Sequence, residues 1–235
     1  MKAYRSVKES TSSHGLASSS LSQKRPLSII SPIDRAAVYT IYMKSGSTRQ
    51  SIAKAARHIL DEEGADAVTM RRVADIVKIT PMAIYRHFKA RQGLLTALAN
   101  AGFEELAARI AGKPFSGTAA KRLAKMAEIY LDHALEHPRL FELMFLKERE
   151  GARRYPRDFK AGRSPTASLM AQSVREGMAN GEFRADDAWE IVFEMGALSH
   201  GLIMLYLGGR IAVSAVGFRA LYRRSFRRYI RGIGR

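Results

Sequence analysis

The sequence holds no cysteine. Disulfides, thiolate nucleophiles and cysteine-type zinc sites are thereby excluded. The absence is neutral on compartment but fits a reducing cytoplasm. Acid is scarce as well: 22 Asp and Glu stand against 39 Lys and Arg, a formal charge of +17. A basic surplus of that size favours polyanionic partners, nucleic acid or an anionic membrane surface, and says nothing about fold. Long apolar runs are missing. The N-terminus is polar and lacks the apolar stretch of about 7–15 residues that a secretory signal needs. The most apolar segment, residues 188–207, carries Glu190, Glu194 and His200. Its uninterrupted runs fall short of the ~18 residues of a membrane span, so it reads as a buried helix. No phosphate loop, dinucleotide fingerprint or Gly-x-Ser-x-Gly elbow occurs, so no catalytic residue and no cofactor is expected. No alternating apolar and polar run survives either, which predicts no sheet.

What is present is one long helical pattern behind an unusual start. Residues 1–47 are serine-rich (Ser10, Ser12, Ser13, Ser18, Ser19, Ser20, Ser22) and basic, without helical period. They are expected to be mostly disordered. They read either as a basic arm for DNA phosphates or as sequence upstream of a true initiator at Met43. Ile29, Ile30 and Ile33 can still form a short docked piece. From Thr48 onward, Ile52, Ala53, Ala56, Ile59 and Leu60 follow the spacing of one buried helix face, ended by Gly64. Glycine and proline breakpoints then leave helical segments near 91–111, 118–136, 138–149, 165–180, 186–207 and 212–232. The expectation is an all-α protein of about nine helices.

The stretch Val68–Arg91 divides into cap, helix, tight turn, cap, helix. Thr69 can cap the first helix by accepting from its free backbone donors, and Val73, Ile76 and Val77 give it an inward face. Lys78 and Ile79 make the turn. Thr80 caps the second helix, with Pro81 at its first position, where a missing N–H loses nothing. Ile84 and Phe88 point inward; Met82, Tyr85 and Arg86 lie on the other side. A helix of this kind fits the major groove, and its N-terminal residues meet base edges. Pro81 and Met82 can touch a thymine methyl, and Tyr85 and His87 can donate to phosphates. Arg71, Arg72, Lys78, Arg86, Lys89 and Arg91 are cationic against one acid, Asp75, an electrostatic footprint for DNA.

Thr69, Ile76-Val77, Ile84-Tyr85-Arg86-His87-Phe88-Lys89 and Leu94-Leu95 together resemble the N-terminal domain of TetR-type regulators. The likeness runs from the first helix to about residue 100. It implies a three-helix DNA-binding domain at 48–100 and a C-terminal helical bundle at 101–235 that binds a ligand and dimerises. It further implies a cytoplasmic repressor of double-stranded operator DNA. By position, Thr69 and Arg71 resemble the phosphate and base contacts at the start of the first motif helix, and Arg72 counts as a DNA contact by its charge. Thr80, Pro81, Met82 and Tyr85 resemble recognition-helix contacts, with Arg86 added by its charge, and His87, Lys89 and Arg91 resemble backbone anchors, Arg91 with both its amide and its side chain. The family turn usually has a small residue or glycine where Lys78 stands; if that position needs a positive φ, lysine is strained there.

In the C-terminal part, residues 137–145 and 199–209 resemble one subtype in which a His-Gly pair follows a tryptophan by about one turn. His200-Gly201 is present, but Gly196 stands at the tryptophan position and Trp189 is too far upstream. Residues 191–207 are apolar nearly all round, so a partner copy is the natural cover, and the last two helices are expected to form a four-helix homodimer interface. The resemblance implies a small-molecule effector, apolar or amphipathic, lined by Tyr130, His133, Phe141, Met144, Phe145, Met170, Phe193, His200 and Met204. The plain alternative is that each is ordinary core. His133 and His137 lie four apart, as helical metal ligands do. No glutamate lies between them in the metalloprotease arrangement, Glu136 being offset, so no metal is expected. The arginine-rich end, residues 218–235, reads as an amphipathic helix with a solvated basic face. Two other classes fit the charge alone: a non-specific basic DNA binder, and a helical protein on a membrane surface.

Overall fold

Ser47 begins the first helix by a reciprocal cap. Its hydroxyl accepts from the Gln50 amide, and the Gln50 side chain accepts from the Ser47 amide at 3.0 Å, so two end donors are satisfied together. Helix α1 (Thr48–Glu63) then buries Ile52, Ala55, Ala56, Ile59 and Leu60. Gly64 closes it at φ 91°, a backbone angle that other residues resist. A computed structural model describes residues 47–147, 149 and 151–235. The readings for residues 1–46, whether arm, upstream sequence or docked isoleucines, lie outside the described residues.

A 3-10 turn (Ala65–Ala67) leads to α2 (Met70–Val77) and α3 (Pro81–Tyr85), followed by α4 (Arg91–Ala111), α5 (Ala119–Glu136), α6 (Pro138–Phe145), α7 (Arg157–Lys160), α8 (Pro165–Ala179), α9 (Ala188–Leu207) and α10 (Ala215–Ile233). Among the described residues there are ten α-helices and no strand, only an isolated bridge between Phe183 and Gly234. The all-α expectation holds. The extra helix is the four-residue α7, between two glycine breakpoints. Helix α6 ends at Phe145 rather than 149, because Arg149 folds back and donates to the Met144 carbonyl at 3.3 Å. A side chain thus satisfies a helix-end acceptor that another turn would otherwise have used.

Two apolar clusters hold the helices. One joins α1, α2, α3 and α4 to Met126, Ile129, Leu140, Leu143 and Met144 of α5 and α6. The other joins α5 and α8 to α9 and α10, with Phe141. Tyr130 and Met170, partly buried, pack against both. Helix α4 runs unbroken through residue 100, so the motif and the C-terminal helices share one core.

Helix α9 departs from its expected burial. It is the one described helix long and apolar enough to cross a membrane by length and composition, yet only 28% of its apolar window is buried. Phe193, Ala197, Gly201 and Leu205, each four residues apart, are exposed. One chain covers one side only, as an all-round apolar helix on a small bundle must allow. Helix α10 buries Phe218, Tyr222, Phe226 and Ile230 and turns Arg223, Arg224, Arg227, Arg228 and Arg231 outward.

Candidate nucleic-acid interface

Both motif helices are capped as their sequences require. The Thr69 hydroxyl accepts from the Arg72 amide at 3.3 Å, and the Thr80 hydroxyl accepts from the Ala83 amide at 3.2 Å. Pro81 takes the first position of α3. Ile84 and Phe88 anchor the helix from beneath, fully buried and 4% exposed respectively. Met82 and Tyr85 face solvent at 69% and 45%, with Thr80, Pro81 and Arg86 also exposed.

The turn is as strained as the lysine implied. Lys78 adopts φ 60°, ψ 44°, the only non-glycine positive φ among the described residues. The left-handed residue lets the Ile79 amide reach back to the Ala74 carbonyl at 3.1 Å, which folds the chain sharply from α2 into α3.

Side-chain bonding then divides the cations. Arg71, Lys78, Arg86 and Lys89 are exposed. Arg72 is committed elsewhere: both of its terminal nitrogens bind the Glu63 carboxylate, and one also donates to the Ala67 carbonyl at 3.2 Å. That guanidinium holds the Glu63 carboxyl below its usual range. Arg91 likewise turns inward, donating to the carbonyls of Val68 at 2.7 Å and Ala65 at 2.6 Å. Each of these side chains ties the turn after α1 to the motif, and Arg72 is exposed at the surface while it does so. The Arg91 backbone amide still opens α4, where Ala90 supplies no side-chain cap. His87 is half-buried, and its carbonyl accepts from Arg49 at 2.6 Å. Arg49, which sequence reading passed over, also lays its guanidinium 4.4 Å from the Phe88 ring. Its only sequence signal is a cation in the first turn of α1.

Of the nine residues expected around a ligand, four rings meet. Tyr130 lies against Phe141 (5.4 Å between centroids) and Phe145 (5.8 Å), His200 stacks on Phe141 (5.3 Å), and the Tyr130 hydroxyl is 3.4 Å from His200 Nδ1. Burial pushes the Tyr130 hydroxyl up and the His200 imidazole down. Met144 is buried beside Gly102, and Met170 and Met204 are partly buried. Phe193 is not part of this group: it is exposed and stacks on Tyr155 at 4.2 Å. A cavity of about 250 Å³ opens instead between α5 and α10, lined by Ala124, Ala127, Tyr222, Phe226 and Ile230 among others. None of the nine expected residues borders it. His133 is also apart. It is completely buried, neither ring nitrogen has a hydrogen-bond partner, and its nearest ring is His137 at 5.5 Å. Burial, then the adjacent His137, pushes its imidazole down to about 4.

A capped two-helix motif with a solvent-facing second helix, on an all-α scaffold, defines a helix-turn-helix protein. Two family models match the chain: "Bacterial regulatory proteins, tetR family" over residues 52–98, and "Tetracyclin repressor-like, C-terminal domain" over 123–231. The chain belongs to the TetR family. An HTH-type transcriptional regulator of Bacillus subtilis (strain 168), YobS, is 28% identical over 102 residues, 43% of this chain; the chain thus spans about half (53%) of that relative's length. A solved protein of unknown function from Rhodococcus sp. RHA1 is 28% identical at a TM-score of 0.70, covering 82% of this chain and 98% of its own. A TetR variant of Acinetobacter baumannii AYE, solved with minocycline, is 23% identical at a TM-score of 0.57, covering 77% and 93%.

Proposed function

We propose that the protein is a dimeric, sequence-specific transcriptional regulator that reads operator DNA through the outer face of α3 and is released by a small molecule. The carrying observation is the orientation of α3: Thr80, Pro81, Met82 and Tyr85 face solvent over an apolar anchor of Ile84 and Phe88. Direct readout needs base-reading side chains at the exposed N-terminal end of a helix that fits the major groove. Thr69, Arg71, Arg86, His87 and Lys89 surround it for phosphates, and the α4 amide end adds a further anion site. Arg72 and Arg91 stand at the edge of this surface as further phosphate contacts, while their side chains also tie the motif to the turn after α1.

The open stripe of Phe193, Ala197, Gly201 and Leu205 on α9 supports a two-fold dimer. Small residues at its centre permit close approach of a partner helix, and the outer leucine and phenylalanine supply area. Such a dimer sets two recognition helices ~34–36 Å apart, one turn of DNA. The ring group of Tyr130, Phe141, Phe145 and His200, flanked by the methionines, suits an aromatic or amphipathic effector. That effector must bind the DNA-released state more tightly than the DNA-bound one, or it shifts nothing.

The test is binding of the full chain to duplexes selected from a random pool, against random DNA, across a salt series. A specific regulator gives a selected motif with two-fold symmetry and a specificity ratio of at least ~10³. Equal affinity for both DNAs, differing only through salt, would overturn the reading in favour of binding by charge alone.

A further inference from the structure

We propose that Glu105, His133 and His137 form a binding site for a divalent transition metal of the zinc class. One ligand atom from each residue lies within 4.8 Å of the other two. The donors come from two helices: Glu105 from the middle of α4, His133 from the last turn of α5, and His137 from the cap that follows it. In sequence the histidine pair has no glutamate in the metalloprotease position, Glu136 being offset. The fold supplies one from the neighbouring helix.

Three independent features fit a metal. The first is donor chemistry. Two imidazoles and a carboxylate make a three-ligand set typical of zinc sites that keep one position for water, and such nitrogen and oxygen donors also suit nickel, cobalt and copper. The second is the state of His133. An imidazole offers either a donor or an acceptor at each nitrogen, yet both His133 nitrogens are buried without a partner. A buried polar group in that condition needs an explanation, and a coordinated ion provides one. The third is access. Glu105 is exposed and His137 half-buried, so an ion has an entry path to the buried nitrogen.

The surrounding charges are compatible. Arg57 donates to Glu105 at 3.0 Å and to Asp61 at 2.8 Å, and Arg109 pairs with Glu136 at 2.6 Å. Arg57 is thus shared between Glu105 and Asp61, so Asp61 keeps it matched when Glu105 turns to the ion, and Arg109 is matched by Glu136. Tetrahedral zinc with bonds of ~2.0–2.1 Å sets its donors about 3.4 Å apart, so the three side chains close slightly on loading. A filled site would clamp α4, which starts directly after the DNA-reading motif, onto α5 of the second core.

The experiment titrates Co²⁺ and Zn²⁺ into chelator-treated full-length protein without DNA, reading Co²⁺ absorption, calorimetric stoichiometry and the histidine ring resonances. One equivalent per chain is expected, with the resonances of His133 and His137 shifted. Glu105→Gln and His137→Asn, both at accessible positions, should each weaken binding at least ~10-fold while circular dichroism stays unchanged. No saturable binding at micromolar metal would overturn the proposal. So would stoichiometric binding that both variants leave intact, because the ion would then sit elsewhere. Neither result touches the DNA reading, which is measured without metal.

Discussion

Lys78→Gly should stabilise the protein. Lys78 holds φ 60°, ψ 44° at the end of α2. The left-handed region costs an L-residue about 1–2 kcal/mol, whereas glycine reaches it freely. Glycine also gives the unfolded chain more freedom, which returns roughly 0.5–1 kcal/mol of that gain. The net expectation is a gain of about 0.5–1 kcal/mol, or roughly 2–4 °C in Tm per kcal/mol for a chain of this size. Lys78→Ala is the control, because it removes the charge and keeps the strain. Urea denaturation of the three proteins, with thermal melts, measures the difference. If Lys78→Gly is no more stable than Lys78→Ala, the turn is not strained as the backbone angles indicate, and the reasoning fails.

Phe88→Ala should cost about 3–5 kcal/mol, because it empties a buried ring site, and it removes the surface that Arg49 stacks on; a denaturation midpoint equal to wild type would contradict this. Leu205→Glu puts a charge on the exposed α9 stripe and should leave monomers with native helicity and weak operator binding by sedimentation velocity; a dimer of unchanged affinity would place the interface elsewhere. In metal-free protein His133 should stay neutral down to a midpoint near pH 4 in a histidine NMR titration. The unfolded chain takes up that proton near pH 6.5, so stability should fall with decreasing pH between about 6.5 and 4, by at most ~1.4 kcal/mol per pH unit. A midpoint near 6.5 would contradict the buried setting.

The parts legible in the sequence were local ones. Caps at Thr69 and Thr80, the proline at the first position of α3, the inward pair Ile84 and Phe88, and the strained Lys78 all depend on residues within a few positions of one another. Their physics is written in the chain. The partners of Arg72 and Arg91 were not legible, since either cation suits a phosphate as well as it suits a carbonyl or Glu63, and only the fold brings the latter within reach. Glu105 joins His133 and His137 across 28 and 32 positions for the same reason. Phe193 and His200 share α9, but one faces Tyr155 and the other faces Phe141; helical periodicity does not say which neighbour covers which side.

The central claim concerns the outer face of α3, and Tyr85→Ala tests it most directly. The side chain is exposed, so its removal should leave the denaturation midpoint within error of wild type. Affinity for the selected operator should fall by about 5- to 150-fold, the loss expected of one base or phosphate contact worth about 1–3 kcal/mol. Wild-type operator affinity together with a lowered midpoint would mean that Tyr85 serves the core and that another surface reads DNA.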